Sequence, residues 1–292
     1  MFAYTQKKLP KSTVEIILVV PTIDVQAEYK KAFSQLQAEL AVEGFRKGKV
    51  PTTVAEKHLD KEAVYQEMIQ SALPQWYEQI VKKENFHPIM SPKVELIKGK
   101  DGEDWEFKIT LAEKPVVDIA NYRKVVSETK HEDKKAAIWT PGKGEPAAKE
   151  DEAQKAKIRQ DRLNRVLEAL LKETKIELPD LLLETELSRR LTQAVDDIQK
   201  IGLTVDAYLK SKNLTMDELK SRYRREIEDT YKLEFLLAEI ADKENITVEN
   251  KELEDLFNHI PEEKERTKAR SNAYFYATIL RKQKVLDFLT DL

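Results

Sequence analysis

One short segment, Gly44–Pro51 with the sequence GFRKGKVP, combines an aromatic ring and three basic side chains with two of the chain's seven glycines. Glycine tolerates positive φ angles and close backbone approach, so Gly44 and Gly48 are typical of turn positions. Pro51 suits the first turn of a following helix. The pattern predicts a short protruding loop between two helices.

The tip of this loop is expected to present Phe45, Arg46 and Lys47, with Lys49 close by. Arg and Lys side chains bind phosphates or carboxylates, and an aromatic ring adds an apolar anchor. We therefore interpret the segment as a docking loop. The alternative interpretation is an ordinary solvated turn, since exposed turns are commonly basic and contain glycine.

No comparable group of residues indicates catalysis or metal binding. The chain has no cysteine, which excludes disulfides, thiolate catalysis and cysteine-based zinc sites. Asp196 and Asp197 lie on a charged helical face, where pairing with Lys or Arg one turn away accounts for them. The four histidines are isolated, and surface or partly packed positions are more typical of them than metal binding: His58, His87, His131 and His259. We expect no enzymatic activity, no metal and no cofactor.

Composition restricts the remaining classes of function. Charged residues make up 35% of the chain but the net charge is only −3, so any contact with RNA should be local. No window approaches the ~20 apolar residues of a membrane span, and no targeting segment is recognisable. We expect a cytoplasmic protein without a membrane partner.

The loop lies inside a predicted α+β domain of residues 1–115. A strand pattern covers 14–20, and a helical pattern then continues to residue 40. One or two helices follow the loop, with Pro74 marking a bend or break. Alternating residues at 94–96 and 105–111, separated by turn residues, predict a hairpin.

Residues 116–152 are predicted to form an extended arm and linker. The segment 116–126 suits an extended strand or arm, and 130–135 is a solvated run of charges. Residues 140–146 contain two prolines and two glycines, a composition typical of linkers. Trp139 either pins this linker to a neighbouring surface or is simply an exposed aromatic residue.

From residue 153 to 292 the pattern is helical, with apolar residues at the spacing of roughly six helices. Thr204 and Thr215 are candidate N-caps, the second in a capping box with Glu218. The predicted fold class is therefore an α+β N-terminal domain, a linker and an all-α, multi-helix C-terminal domain.

The segment GFRKGKVP in its helix–loop–helix setting resembles the ribosome-docking signature of the trigger factor family, chaperones that meet nascent chains at the ribosomal exit. The rest of 1–115 resembles the family's ribosome-binding domain, and 176–187 resembles its helical chaperone domain. The resemblance implies that Phe45, Arg46 and Lys47 dock on protein and RNA of the large ribosomal subunit. It also implies an elongated molecule whose helical half holds unfolded or nascent polypeptides.

The family usually carries an FKBP-like prolyl isomerase domain between these two parts. Here only residues 128–151 occupy that place, and independent domains rarely have fewer than about 50 residues. We therefore expect a variant of the family that lacks the isomerase domain.

Three hypotheses about function follow. The first is an ATP-independent holdase on the ribosome, and the second is a helical adaptor or assembly chaperone for a specific client without ribosome binding. The third is a prolyl isomerase, against which the missing domain argues. Tyr274, Phe275 and Tyr276 are the candidate client-binding residues. The sequence leaves open whether the free protein forms a homodimer.

Overall fold

The computed structural model describes residues 2–119, 121–136 and 152–292, except for the side chains of 130–136 and 152–156. Trp139 and the linker stretch 140–146 lie outside the described residues. The chain divides into two compact units. The first is Met1–Lys114 with Pro179–Glu184, and the second is Pro115–Leu178 with Thr185–Leu292.

The first unit contains a four-stranded antiparallel sheet in the order β1-β2-β4-β3. Its strands are β1 (Ala3–Leu9), β2 (Thr13–Val20), β3 (Lys93–Lys98) and β4 (Trp105–Ala112). The register places Ile16 opposite Ile109 and Leu18 opposite Phe107, and all four side chains are buried. Because side chains alternate along a strand, the buried residues Val14, Ile16, Leu18 and Val20 of β2 share one face of the sheet with Phe107 and Ile109 of β4.

Two helices pack on that face. They are α1 (Thr22–Glu39) and α3 (Lys61–Glu84), and the short α2 (Thr52–His58) lies between them in the chain. Pro74 does not break α3, which continues from Lys61 to Glu84. Proline in a helix interior costs about 3 kcal/mol, and burial of a stripe along the helix offsets that cost. The stripe is formed by Val64, Met68, Ala72, Trp76 and Ile80.

The strand β1 is not predicted by the sequence pattern, because its side chains are exposed or half-buried at the edge of the sheet. The Tyr4 hydroxyl donates to Glu84 Oε1 and the Gln6 amide donates to Oε2, both at 2.6 Å. These hydrogen bonds lower the pKa of the Glu84 carboxyl, and they tie the strand to the end of α3.

The remaining elements are helices. In chain order they are α4 (Tyr122–Ala136), α5 (Glu152–Glu173), α6 (Asp180–Lys200), α7 (Val205–Ser211), α8 (Met216–Lys243), α9 (Asn250–Asn258), α10 (Glu263–Ser271) and α11 (Ala273–Asp291). The predicted caps are confirmed: Thr204 caps α7, and Thr215 with Glu218 forms the capping box of α8. The one helix that the sequence pattern misses after residue 153 is α10, which buries only Ala269 and so has no apolar stripe.

The prediction of an extended arm at 116–126 is wrong from Tyr122 onward, where the chain forms the helix α4. It begins at Tyr122, within the segment predicted to be extended, and packs along α5. Tyr122 and Val126 lie one turn apart and are both buried. The Tyr122 hydroxyl and the Arg123 guanidinium both donate to the carboxylate of Glu244 at the end of α8. Packing on α5 and the hydrogen bonds to Glu244 therefore stabilise a helix in a segment whose charged composition suggests solvated chain.

Candidate functional site

The predicted docking loop connects α1 to α2 and turns at its two glycines. Gly44 has a φ of +86° and Gly48 a φ of +76°, in the left-handed region that glycine enters without steric cost. A Cβ atom at Gly44 would meet open space, whereas one at Gly48 would lie 3.2 Å from the Ala38 carbonyl oxygen. The second turn is therefore folded closely against the end of α1.

The base of the loop is fixed where it re-enters the fold. Val50 is buried, and its carbonyl accepts a hydrogen bond of 2.7 Å from the Gln37 side chain on α1. The Pro51 carbonyl accepts from the N–H of Ala55 at 2.9 Å, and Pro51 is the N-cap of α2, directly before the first turn in which the sequence pattern places it. A rigid base therefore supports the segment between the two glycines.

The tip of the loop is exposed and basic. The N–H of Phe45 donates to the Val42 carbonyl at 3.0 Å, and the N–H of Lys49 donates to the Arg46 carbonyl at 2.9 Å. The side chain of Phe45 is 43% exposed, and those of Arg46, Lys47 and Lys49 are also exposed. Within the described ranges, none of these three cations forms an ion pair. The tip can thus offer an apolar contact and three cations to an anionic partner such as phosphate.

The three candidate client-binding residues separate into two groups on the first turn of α11. Tyr274 is 88% exposed and Phe275 60% exposed. Tyr276 instead packs edge-on against the buried Phe257 of α9, with the ring centroids 5.5 Å apart. Tyr274 and Phe275 are available to a partner, whereas Tyr276 contributes mainly to the packing of α11 on α9.

An apolar groove that the sequence analysis missed lies between α8 and α11. Its volume is about 270 Å³, and Ala238 and Ala241 line its α8 side together with Phe235. Val285 lines the α11 side, as does Thr278, which lies one turn after Tyr274. The groove exists because two alanines face a second helix, and a pattern on one helix alone does not reveal such a pairing.

The charges at the groove are paired. Lys282 bonds to Glu234 at 3.1 Å, and Arg281 bonds to Asp242 at 2.7 Å. Neutralised charges at the rim leave the apolar lining as the groove's main binding feature.

Two tyrosines have strongly raised pKa values. Burial, followed by a hydrogen bond to Asp101, raises the pKa of Tyr65 to about 12. Burial, followed by the charge of Glu186, raises the pKa of Tyr231 to about 12. Both hydroxyls therefore stay protonated at neutral pH and neither can act as a base.

In the part of the chain that the structure describes, no group of three or more His, Asp or Glu residues is arranged to hold a metal ion. None of the described helices combines the length and the apolar character required to cross a lipid bilayer.

The two units define a class of protein. An α+β unit presents a basic loop between glycines, and a helical unit carries exposed aromatic side chains and an apolar groove. The family model described as "Bacterial trigger factor protein (TF)" matches residues 2–138, and the model for the family's C-terminus matches residues 147–290. The chain belongs to the trigger factor family, which confirms the predicted family and the predicted fold class.

Curated relatives support this assignment over part of their length. A trigger factor of Moorella thermoacetica is 34% identical over 116 residues, which cover 40% of this chain and 26% of the relative. Trigger factor 1 of Desulfitobacterium hafniense is 30% identical over 152 residues, 52% of this chain and 34% of the relative. The match thus spans about a quarter to a third of these curated relatives.

A solved structure shares the fold across nearly the whole chain. It is described as "Promiscuous Substrate Recognition in Folding and Assembly Activities of the Trigger Factor Chaperone". Its TM-score is 0.65 at 14% sequence identity, with 99% of both chains covered. At this identity the likeness establishes the architecture alone.

Proposed function

We propose that the protein is an ATP-independent chaperone that docks near the polypeptide exit of the ribosome and shields unfolded or nascent chains. The observation that carries this proposal is the loop of residues 44–51. Its base is fixed by a buried valine and a hydrogen bond from α1, while its tip exposes one aromatic ring and three cations that pair with no described carboxylate. Such a tip stabilises the fold little and suits a partner with phosphates or carboxylates.

Phe45, Arg46 and Lys47 make the contacts in this proposal, with Lys49 adding charge and Gly44, Gly48 and Pro51 setting the shape. The partner is the large ribosomal subunit, through protein and RNA at the exit site. Phe45 then supplies an apolar anchor, and the cations bind phosphate or acidic side chains. These two kinds of contact, apolar from Phe45 and ionic from the cations, account for the presence of an aromatic ring beside three exposed cations at one tip.

Client holding belongs to the helical unit in this proposal. Tyr274, Phe275 and the apolar groove between α8 and α11 offer side chains that the unit leaves uncovered. Burial of apolar client surface contributes about 25 cal/mol per Å², and association costs several kcal/mol or more. Each contact is therefore weak, and tethering at the ribosome raises the local concentration of client. A cytoplasmic location follows from this role.

The proposal includes no prolyl isomerase activity. The two matched family regions end at 138 and resume at 147, which leaves eight residues between them. So short a segment is far below the roughly 50 residues of the smallest independent domains. Uncatalysed isomerisation takes tens to hundreds of seconds, so a test peptide with an X-Pro bond should exchange at this uncatalysed rate in the presence of the protein.

Co-sedimentation with ribosomes tests the docking proposal. The variant Phe45→Ala, Arg46→Ala, Lys47→Ala should stay folded and fail to pellet with ribosomes. A matched control, Lys7→Ala with Lys8→Ala, removes exposed cations from β1 of the same unit and should pellet normally. Wild-type binding should weaken as salt rises, because phosphate contacts release counterions. Normal pelleting of the folded triple variant would refute the docking role.

The alternative function is a helical adaptor or assembly chaperone for a specific client. It predicts that neither the wild type nor the triple variant associates with ribosomes. It also predicts tight binding of one folded client and little protection of unrelated unfolded proteins. Ribosome pelleting together with an aggregation assay on two unrelated clients separates the two functions.

A further inference from the structure

The strand β3 forms one edge of the four-stranded sheet. It pairs with β4 on one side, and no strand among the described residues pairs with its other side. All of its residues, Lys93–Lys98, are exposed. The outer side of an edge strand presents backbone N–H and C=O groups that can pair with a further strand. Neither the docking loop nor the candidate client-binding residues lie on this edge.

The core-facing side of the sheet is left partly uncovered at β3. Val94 lies opposite Ile109, and Leu96 lies opposite Phe107. Directly opposite residues of an antiparallel pair point to the same face, so Val94 and Leu96 share the face on which the core packs. Ile109 and Phe107 are buried, whereas Val94 is 36% exposed and Leu96 47% exposed. The packing that covers β4 therefore stops short of β3, and a neighbouring strand would bury these two apolar side chains.

The other face of β3 carries charges of both signs. Lys93 and Glu95 alternate along the strand with the apolar residues, and they form an ion pair of 3.0 Å within the chain. Both side chains are about half exposed. A strand that presents the same two charges in the reverse order would complement this face.

A second copy of β3 presents this reverse order in one register. Two copies of a strand that pair across a twofold axis run antiparallel, and opposite residues lie on the same face. With the axis at Val94, each Lys93 lies opposite Glu95 of the second copy. An axis at Lys93 or at Glu95 would place like charges opposite each other, which is destabilising. An axis at Leu96 would bring the irregular register between Leu96 and Lys98 into the pairing.

We propose that two copies of the chain associate through antiparallel pairing of their β3 edges, centred on Val94. On one face the charges of Lys93 and Glu95 alternate in sign, so each meets one opposite charge in its own chain and one in the second copy. On the other face Val94 and Leu96 of both copies lie side by side. The two sheets join into one continuous sheet.

Two features keep this pairing short. Pro92 precedes the strand and has no N–H to donate, and the register becomes irregular after Leu96. The paired segment is therefore confined to residues 92–96. So small an interface belongs to the weak and transient class, and the dimer should form at high protein concentration and dissociate on dilution.

Charge reversal tests the pairing by sedimentation equilibrium of the full chain. Lys93→Glu and Glu95→Lys each convert both contacts between the copies from attractive to repulsive, so each variant should dimerise about tenfold more weakly than the wild type. An equimolar mixture of the two variants should regain association, because each contact in the heterodimer is again between opposite charges. Lys8→Glu, on the opposite edge of the sheet, is the control and should dimerise as the wild type does.

The absence of cysteine from the chain allows a separate test of the register. Directly opposite Cα atoms lie about 4.5–5.5 Å apart, which is within the range that a disulfide can bridge. Val94→Cys should therefore give a disulfide-linked dimer on mild oxidation. Leu96→Cys lies on the same face of the same edge, but in this register its two copies are offset by about 14 Å along the strands. It should remain unlinked.

A wild-type chain that stays monomeric at every concentration would overturn the inference and leave the edge to a different partner. Dimerisation that survives both charge reversals, or that the mixture fails to restore, would overturn it in favour of another dimer surface. Stronger linkage from Leu96→Cys than from Val94→Cys would refute the register. Circular dichroism checks that each variant is folded, and ribosome pelleting tests the docking proposal independently of these results.

Discussion

Three glycines with positive φ angles allow a matched test of the docking loop. Gly44 and Gly48 lie in the loop, and Gly102 lies in the turn between β3 and β4 of the same unit. Their φ values are +86°, +76° and +79°. Substitution by alanine adds the same Cβ atom to the same kind of backbone conformation at each position.

The expected magnitude follows from that conformation. A left-handed residue with a Cβ atom costs about 1–2 kcal/mol, and 1.4 kcal/mol corresponds to a tenfold change in an equilibrium constant. If docking requires the observed loop shape, a Gly44→Ala loop that relaxes away from it when free must regain this shape to bind, so the substitution should weaken ribosome binding by up to about tenfold. Gly48→Ala should have a larger effect, because its Cβ would also lie 3.2 Å from the Ala38 carbonyl oxygen.

Gly102→Ala introduces the same backbone strain at a position outside the loop, where the added Cβ atom would meet no neighbouring atom. It should lower the free energy of unfolding by a comparable amount and leave ribosome affinity unchanged. Equilibrium pelleting against a ribosome titration measures the affinity, and chemical denaturation measures the stability. Wild-type affinity in both loop variants, or equal weakening by Gly102→Ala, would refute the claim that loop geometry governs docking.

Three further predictions concern the helical unit. Replacing both Tyr274 and Phe275 with serine should reduce protection of an unfolded client from aggregation without changing the unfolding midpoint. Tyr276→Ser should instead lower the free energy of unfolding by about 1–3 kcal/mol, because it removes an aromatic contact. Ala238→Leu should fill part of the groove between α8 and α11 and reduce client protection, with ribosome binding unchanged. Hydrogen bonds from Tyr122 and Arg123 lower the pKa of the Glu244 carboxyl in the folded protein. The ionised carboxylate therefore stabilises the fold above the ordinary pKa of a glutamate, and this stabilisation is lost as the pH falls through the lower folded pKa. Glu244→Gln should therefore show a smaller loss of stability on acidification than the wild type.

Each of these predictions has a result that contradicts it. Equal destabilisation by serine at 274, 275 and 276 would remove the distinction between exposed and packed rings. Full client protection by a folded Ala238→Leu variant would exclude the groove from client binding. An unchanged pH dependence of unfolding in Glu244→Gln would show that this carboxylate does not anchor α4 in solution.

The elements that could be predicted from sequence are those with an apolar pattern of their own. The aliphatic run of β2, the alternation in β4, the stripe of α3 and the caps of α7 and α8 appear directly in the chain. The two glycines and the proline of the docking loop also have a direct conformational meaning.

The features missed depend on neighbours that the local sequence does not reveal. The strand β1 is an edge strand with few buried side chains, and it forms because β2 offers a partner. The helix α4 is highly charged, and among its described side chains only Tyr122 and Val126 are buried. The groove between α8 and α11 needs two helices to face each other, and Tyr276 packs inward because Phe257 lies beside it.

Site-specific photo-crosslinking tests the central claim most directly. A photoreactive phenylalanine analogue at Phe45 should form a covalent product with protein or RNA of the large ribosomal subunit when the full chain is mixed with ribosomes. The same analogue at Ile97, which is 49% exposed on β3 of the same unit, serves as the control and should give no such product. Crosslinking from Phe45 that is absent, or that is no stronger than from Ile97, would contradict the assignment of this loop as the ribosome-docking site.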